Sequence, residues 1–424
     1  MKRDYAIDIR HLARVEGHAD IKITVREGQL VDAKWAIVET PRFFEVMLRG
    51  MSAERVPFLT SRICGICSIS HALASIRALE RAMEITPPVA AEKIRLLAMQ
   101  GETLQSHALH LFFLIAPDFA GTSSVLGLLQ SHPDLVKAGL KLKELGNEIS
   151  TVTAGRCTHP VSLLVGGLSK APDKQRLLQL LTMIQKQKPA LDYACSFFRS
   201  IVIPDFSRET EFVSLSNGKS YPAIGGHLLS TDGVELEEND YLLMTNEYTR
   251  EFSTSKFTRL SRDTSVAGAL ARFNNNHALL HPKAREVAEE LGLKPVCHNP
   301  FMNTIAQLVE CVHILEEAEE LINSLLDMEL RNIKTPYQPK AGSATGAVEA
   351  PRGILYHHLE TDAAGHVVKA DCVIPTTQNN GNIHSDLRAI TLQALKEGKE
   401  DGEIEKLCEM MVRSYDPCIS CSVH

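Results

Sequence analysis

Two Cys-x-x-Cys pairs stand near opposite ends of this 424-residue chain: Cys64 and Cys67 in SRICGICSIS (61–70), and Cys418 and Cys421 in DPCISCSVH (416–424). If both pairs grip one metal, the fold must bring together positions about 350 residues apart, which no small module can do. Other readings compete. A structural zinc site uses two such knuckles within tens of residues, because its purpose is to fold a small module. This chain is 44% hydrophobic and has ample material for a core of its own. A thioredoxin-like redox pair would account for one Cys-x-x-Cys but not for a second at the far C-terminus, and neither shows the expected strand-to-helix entry. Unrelated structural cysteines are the plainest alternative. The remaining reading is a thiolate-rich transition-metal centre, since four soft sulfurs select nickel, iron, zinc or copper(I) over hard ions. The other six cysteines, at 157, 195, 297, 311, 372 and 408, are scattered singly and read as buried or idle thiols.

The texture between the pairs is that of a large α+β protein, mainly α. YAIDI, ADIKITV and AKWAIV, with the turn REGQ, read as strands in a β region over about 1–40. Apolar residues at three and four spacing predict helices over 88–115, 124–150, 172–200 and about 303–330, lengths that pack as a bundle. Short β-like runs follow over 207–260, and GILYHHLETDAAGHVVKADCVI reads as a hairpin around DAAG. No repeat or linker divides the chain, so residues 1–424 read as one domain, with a metal-binding segment over 410–424. The net charge of −7 is spread without long single-sign runs, which offers no basic face to nucleic acid. No apolar run reaches the roughly 18 to 20 residues of a membrane span, and the start lacks the pattern of a signal peptide.

The residues flanking the cysteines narrow the choice. RICGICSISH (Arg62, Cys64, Cys67, His71) and DPCISCSVH (Asp416, Cys418, Cys421, His424) resemble the first and last signatures of the nickel–iron hydrogenase large subunit. RVEGH (Arg14–His18), EAPRG (Glu349–Gly353) and IPTTQNN (Ile374–Asn380) extend the resemblance across the chain. It implies a long-helix bundle with peripheral β pieces, and a subunit that reversibly splits dihydrogen into protons and electrons. Cys64 and Cys418 would be terminal nickel ligands, with Cys67 and Cys421 bridging to an iron that carries one carbon monoxide and two cyanides. Glu16 resembles the proton-transfer carboxylate, and Arg352 and Asp416 the charged canopy over the metals. Pro375 and Thr376 resemble the residues that cradle a cyanide. His71 would be a hydrogen-bond donor to a bridging sulfur, while His18 is either similar or merely packed. Glu45 and His424 would hold a structural magnesium.

The resemblance also implies partners. No iron–sulfur signature is left once the paired cysteines are used, so electrons would leave through a small iron–sulfur subunit. Further electron-transfer modules would follow, with a flavin and nicotinamide, a deazaflavin or another soluble acceptor. Maturation factors would build the iron group, and an endopeptidase cuts the family precursor after the last histidine, where this sequence stops. One departure stands out. Respiratory members carry HDH in the helix after the first pair, whereas the stretch here is QSHALHLF, with Ser106 at the place of that Asp. The departure favours the soluble, cytoplasmic branch. A dihydrogen-sensing regulatory subunit would keep the same ligands and is the alternative reading. A respiratory-complex scaffold would lack the cysteines.

Overall fold

The computed structural model describes residues 4–424, so positions 1–3 of the expected N-terminal β region lie outside the described residues. The alternating opening segment forms an antiparallel sheet of β1 (Tyr5–Ile9), β2 (Ala19–Arg26) and β3 (Gln29–Ile37). Tyr5 pairs with Val25 and Ile9 with Ile21. Period-two alternation buries Ile21, Ile23 and Val25 on one face. Trp35 of β3 is fully buried, and its indole N–H donates to Asn380 Oδ1 at 3.0 Å.

Helices follow: α1 (Phe44–Leu48), α2 (Ser68–Ala82), α3 (Val89–Leu109), α4 (Pro133–Ala154), α5 (Lys174–Ser200) and α6 (Met302–Leu326). Two expected helices are interrupted, the second of them at a proline. The one expected over 88–115 leaves α geometry at Leu109, becomes π-helical over His110–Ile115 and resumes as a short helix at Ala116–Phe119. Pro117 has no N–H to donate to the Phe113 carbonyl, so the ladder lacks a bond where the π-helical segment meets the short helix. The next breaks at His132, before Pro133 opens α4. The N-terminal half of α6 is buried on nearly every side, including Gln307, Glu310 and His313.

The region over 207–260 contributes strands to a four-stranded sheet. A three-stranded antiparallel sheet follows, of β4 (Gly342–Ala350), β5 (Gly353–Thr361) and β6 (Val367–Val373). The hairpin expected around DAAG is β5–β6; β4 was not expected, and it packs along α2. Ala350 pairs with Gly353, leaving Pro351 and Arg352 as a two-residue turn that puts Arg352 at its tip. Gly353 has φ 134°, and a Cβ there would come within 2.6 Å of Ala267 Cβ, so this corner requires glycine. The chain ends in α7 (Pro375–Lys396), α8 (Asp401–Ser414) and α9 (Ile419–Ser422). One continuous buried cluster runs from Ile7 to Val423 and contains all four paired cysteines. The architecture is α+β and mainly α.

Candidate metal centre

Cys67 is the residue before the first turn of α2, and its side chain caps nothing. The N–H groups left free in the first turn are met from another helix: Glu102 of α3 accepts from Ile69 N at 2.6 Å and Ser70 N at 2.9 Å. Cys64 Sγ in turn accepts from the Ile66 and Cys67 N–H groups at 3.2 and 3.3 Å. From the other end of the chain, α8 stops at Ser414, Asp416 turns the backbone with φ 50°, and Cys418 and Cys421 flank the first turn of α9. The four sulfurs meet. Cys64 Sγ is 3.6 Å from Cys418 Sγ, Cys67 Sγ is 3.7 Å from Cys421 Sγ, and all four lie within 4.8 Å of one another. With metal–sulfur distances of about 2.3 Å, thiolates around a shared ion sit about 3.8 Å apart; the two pairs formed across the chain ends match that spacing, while Cys418 Sγ and Cys421 Sγ, 2.7 Å apart, must open to share an ion. All four are buried. Hydrogen bonds from Cys418, Cys421 and Cys67 hold the Cys64 thiol well below its ordinary range, while burial and the competing thiols push Cys421 well above it. Thiols this crowded suppress one another's ionisation, and a divalent ion at their centre removes that penalty.

The canopy residues assemble beside the sulfurs. Arg352 Nε donates to Asp416 O at 2.7 Å and Nη2 to Asp416 Oδ1 at 2.8 Å. The other Asp416 oxygen accepts from Gln307 Nε2 at 3.0 Å. Burial opposes the Arg352 charge, but Asp416, and then Cys418, Cys64 and Cys67, hold its pKa well above the ordinary value. Arg352 Nη1 and Thr377 Oγ1 are buried with no partner among the described residues. Pro375 is the first residue of α7, and Thr376 Oγ1 accepts the Cys418 N–H at 2.9 Å. Thr376 therefore lies at a helix N-terminus, whose dipole and free N–H groups suit anionic ligands. The signal was Pro375, a residue favoured at the first helical position.

Glu16 is half-buried and stitched to the C-terminal segment. Its carbonyl accepts from Ile419 N at 3.0 Å, and its carboxylate accepts from Ser420 N at 3.1 Å and from the Ser420 hydroxyl. His18 is exposed and meets Glu39, which settles it as a surface residue. Burial pushes His71 down to about 3, so its imidazole is neutral. Its Nδ1 lies 3.1 Å from His357 Nε2, and His357 Nδ1 lies 2.8 Å from Ser75 Oγ. His71 Nε2 is buried without a partner among the described residues. A sulfur acceptor at Nε2 selects one direction for the chain: Ser75 O–H donates to His357 Nδ1, His357 Nε2–H donates to His71 Nδ1, and His71 Nε2 keeps a proton to donate.

A second cluster gathers at the chain end. Glu45 of α1 has Oε1 3.5 Å from His424 Nε2 and accepts the Cys372 N–H at 2.9 Å. Although burial opposes it, His424 and that N–H hold the Glu45 carboxyl at about 2. Cys372 Sγ falls within the same 4.8 Å cluster, and burial pushes its thiol well above the ordinary range. A protonated thiol is a poor ligand for a hard ion, so a magnesium here would take Glu45, His424 and water. Ser106 is fully buried on α3, and its hydroxyl has no partner among the described residues. Gln307 and His357 were not singled out in the sequence, and Cys372 was read only as a buried or idle thiol, which is indeed buried. A lone polar residue on an apolar helix or strand carries no spacing signal until the fold supplies its neighbour.

The sequence profile of the family described as "Nickel-dependent hydrogenase" matches residues 42–138 and 230–424. The chain is 32% identical to sulfhydrogenase 1 subunit alpha of Pyrococcus furiosus over 423 residues, covering 99% of this chain and 97% of that one. It is 29% identical over 473 residues to the NAD-reducing hydrogenase HoxS subunit beta of Cupriavidus necator, covering 100% and 95%. Among solved structures, a chain of an NAD+-reducing NiFe-hydrogenase in the H2-reduced state superposes with a TM-score of 0.88 at 29% identity, covering 100% of this chain and 99% of that one. The Ni-Fe-Se hydrogenase from D. vulgaris Hildenborough shares the fold, with a TM-score of 0.77 at 21% identity and full coverage of both chains.

Proposed function

The chain belongs to the nickel-dependent hydrogenase family, and from that premise we propose how its residues serve the reaction. It is the large, catalytic subunit of a nickel–iron hydrogenase, an oxidoreductase acting on dihydrogen. The convergence of Cys64, Cys67, Cys418 and Cys421 carries the assignment. In our reading Cys64, Cys67, Cys418 and Cys421 would hold the nickel and the iron, and Glu45 and His424 would hold a structural magnesium. The unpartnered Arg352 Nη1 and Thr377 Oγ1, with Pro375 and Thr376 at the start of α7, suit an iron carrying one carbon monoxide and two cyanides. When bound, that pair of metals supplies the chemistry that splits dihydrogen into two protons and two electrons.

The chain's own part is to move protons and exclude water. Cys418 Sγ receives a proton, and Glu16, held by Ser420 beside it, passes the proton outward. Arg352 presents a fixed positive charge in a buried cage, pinned by Asp416, which Gln307 steadies from α6. With its Nδ1 engaged by His357, His71 would keep its Nε2 proton for a sulfur of the site. Electrons pass to an iron–sulfur partner subunit, since the relatives are named as subunits of larger enzymes. We read residues 1–424 as one domain acting in the cytoplasm with further soluble electron-transfer subunits. No helix among the described residues is long and apolar enough to cross a membrane.

Infrared spectra of the matured protein test the assignment. Carbonyl and cyanide stretches, with about one nickel per chain, are expected from the four-thiolate site. A fully loaded zinc protein without those bands would refute it.

A further inference from the structure

Asp118 lies in the short helix Ala116–Phe119 after the π-helical turn, and arginines from two other segments take both its oxygens. Arg14 Nη2 donates to Oδ1 at 2.5 Å, Arg413 Nη2 to Oδ1 at 3.0 Å and Arg413 Nε to Oδ2 at 2.7 Å. Arg14 precedes Glu16 by two residues. Arg413, in the last turn of α8, precedes Asp416 by three and Cys418 by five. Further bonds tighten the junction: Arg14 Nη1 donates to Leu114 O at 2.5 Å, Arg413 Nη1 to Ala13 O at 3.2 Å and Arg413 Nη2 to Glu409 Oε2 at 3.1 Å. His110 Nε2, from the π-helical turn, lies 2.8 Å from the Arg413 carbonyl.

The Glu16 loop does not hold its own shape. Arg14 has φ 61° and Gly17 φ 87°, and a left-handed arginine persists only where its surroundings fix it. The inner end of the loop is fixed by Glu16, through Ile419 N and Ser420. Its outer end is fixed by Asp118. The side chains of Arg413, Asp118 and Arg14 are only 2%, 12% and 15% exposed, so these charge-assisted bonds form largely away from water.

We propose that Asp118 is a positioning residue for proton transfer: by clamping Arg14 and Arg413 together, it sets the register of the Glu16 loop against the segment carrying Cys418 and Cys421. This inference rests on the reading of Glu16 as the relay.

The test uses the matured, heteromeric enzyme with Asp118→Asn, Glu16→Gln and the double variant. Asp118→Asn should lower kcat for dihydrogen uptake between about 10- and 100-fold, the scale of misplacing a reacting group by about 1 Å. KM for the electron acceptor, nickel content and the carbonyl and cyanide bands should stay native. Amide hydrogen exchange should quicken within residues 13–17 and 413–421 and not elsewhere. In the Glu16→Gln background, Asp118→Asn should cost nothing further, because both changes disable one route. If the Asn variant fails to mature, Arg14→Lys, which leaves the Arg413 pair in place, makes the same comparison. A native rate, exchange that quickens across the whole chain, or losses that multiply in the double variant would each overturn the inference. Glu16→Gln turning over at the native rate would sink the relay reading itself, an outcome separate from multiplied losses.

Discussion

At the scale of single residues, the site depends on where charge is allowed. Glu16 sits against Ser420 with both carboxylate oxygens engaged, so Glu16→Gln keeps the shape of the contact and removes most of its capacity to exchange protons. Turnover, and isotope exchange between dihydrogen and water, should fall by at least roughly 100-fold, with the infrared bands unchanged. Exchange at the native rate would move the route elsewhere. Glu349 gives a second prediction. It shares the Arg272 guanidinium with Glu310: Arg272 Nη1 reaches Glu349 Oε2 at 3.0 Å, and Nε reaches Glu310 Oε1 at 2.6 Å. Burial, reinforced by the Glu310 charge and only partly offset by Arg272, raises the Glu349 carboxyl from 4.5 to about 7. The folded state therefore holds a proton that the unfolded chain has released. The stabilisation is fully present below pH 4.5 and is lost as pH rises through about 7. The loss amounts to roughly 3 kcal/mol. Glu349→Gln should flatten the fall in thermal midpoint between pH 5 and 8; an unchanged slope would assign that fall to other groups.

At the scale of elements, two helices must meet closely for the first cysteine pair to be held. Glu102 of α3 supplies the N-terminal cap that Cys67 does not give to α2. Glu102→Ala would leave the buried N–H groups of Ile69 and Ser70 without an acceptor, at about 1–3 kcal/mol each. Amide exchange at those two residues should quicken, and nickel retention should fall with it; native protection at both would mean that another group caps the helix. The helix α3 also packs closely against α4, where Gly101 and Gly146 let the two backbones approach. A Cβ at Gly146 would stand 2.6 Å from Gln105 N and 2.7 Å from Gly101 O, both backbone atoms that cannot turn aside. Gly146→Ala should therefore separate the helices and destabilise the protein by about 1–3 kcal/mol, the range for overpacking. A thermal midpoint within a degree of the parent would show that the bundle tolerates the shift.

At the scale of the whole molecule, the fold closes the C-terminus over a site begun near the N-terminus. Glu16 meets Ile419, Arg42 N–H meets the Val423 carbonyl, and His424 meets Glu45. If an ion joins Glu45 and His424, His424→Ala should loosen residues 418–424, lower the thermal midpoint and reduce nickel retention, because an ordering ion contributes folding free energy. Full nickel occupancy with unchanged stability would leave His424 no role in holding the chain end.

What could be read from residues alone was whatever local chemistry writes into a few positions. The thiolate pairs, the motifs around Glu16, Arg352 and Asp416, the strands of β1 to β3 and the long helices all follow from residue type and short-range spacing. The helix break before Pro133 and the start of α7 at Pro375 were also written locally, in prolines, although the helix expected over 124–150 runs through the first of them. Tertiary structure alone decided which distant groups would face one another: Glu102 beneath α2, Gln307 on Asp416, His357 behind His71, Cys372 beside Glu45 and Asp118 between Arg14 and Arg413. Each of these is an ordinary polar residue that gains its role from burial and a partner. Desolvation makes such a pairing obligatory once the chain has folded, and a sequence records neither the burial nor the partner.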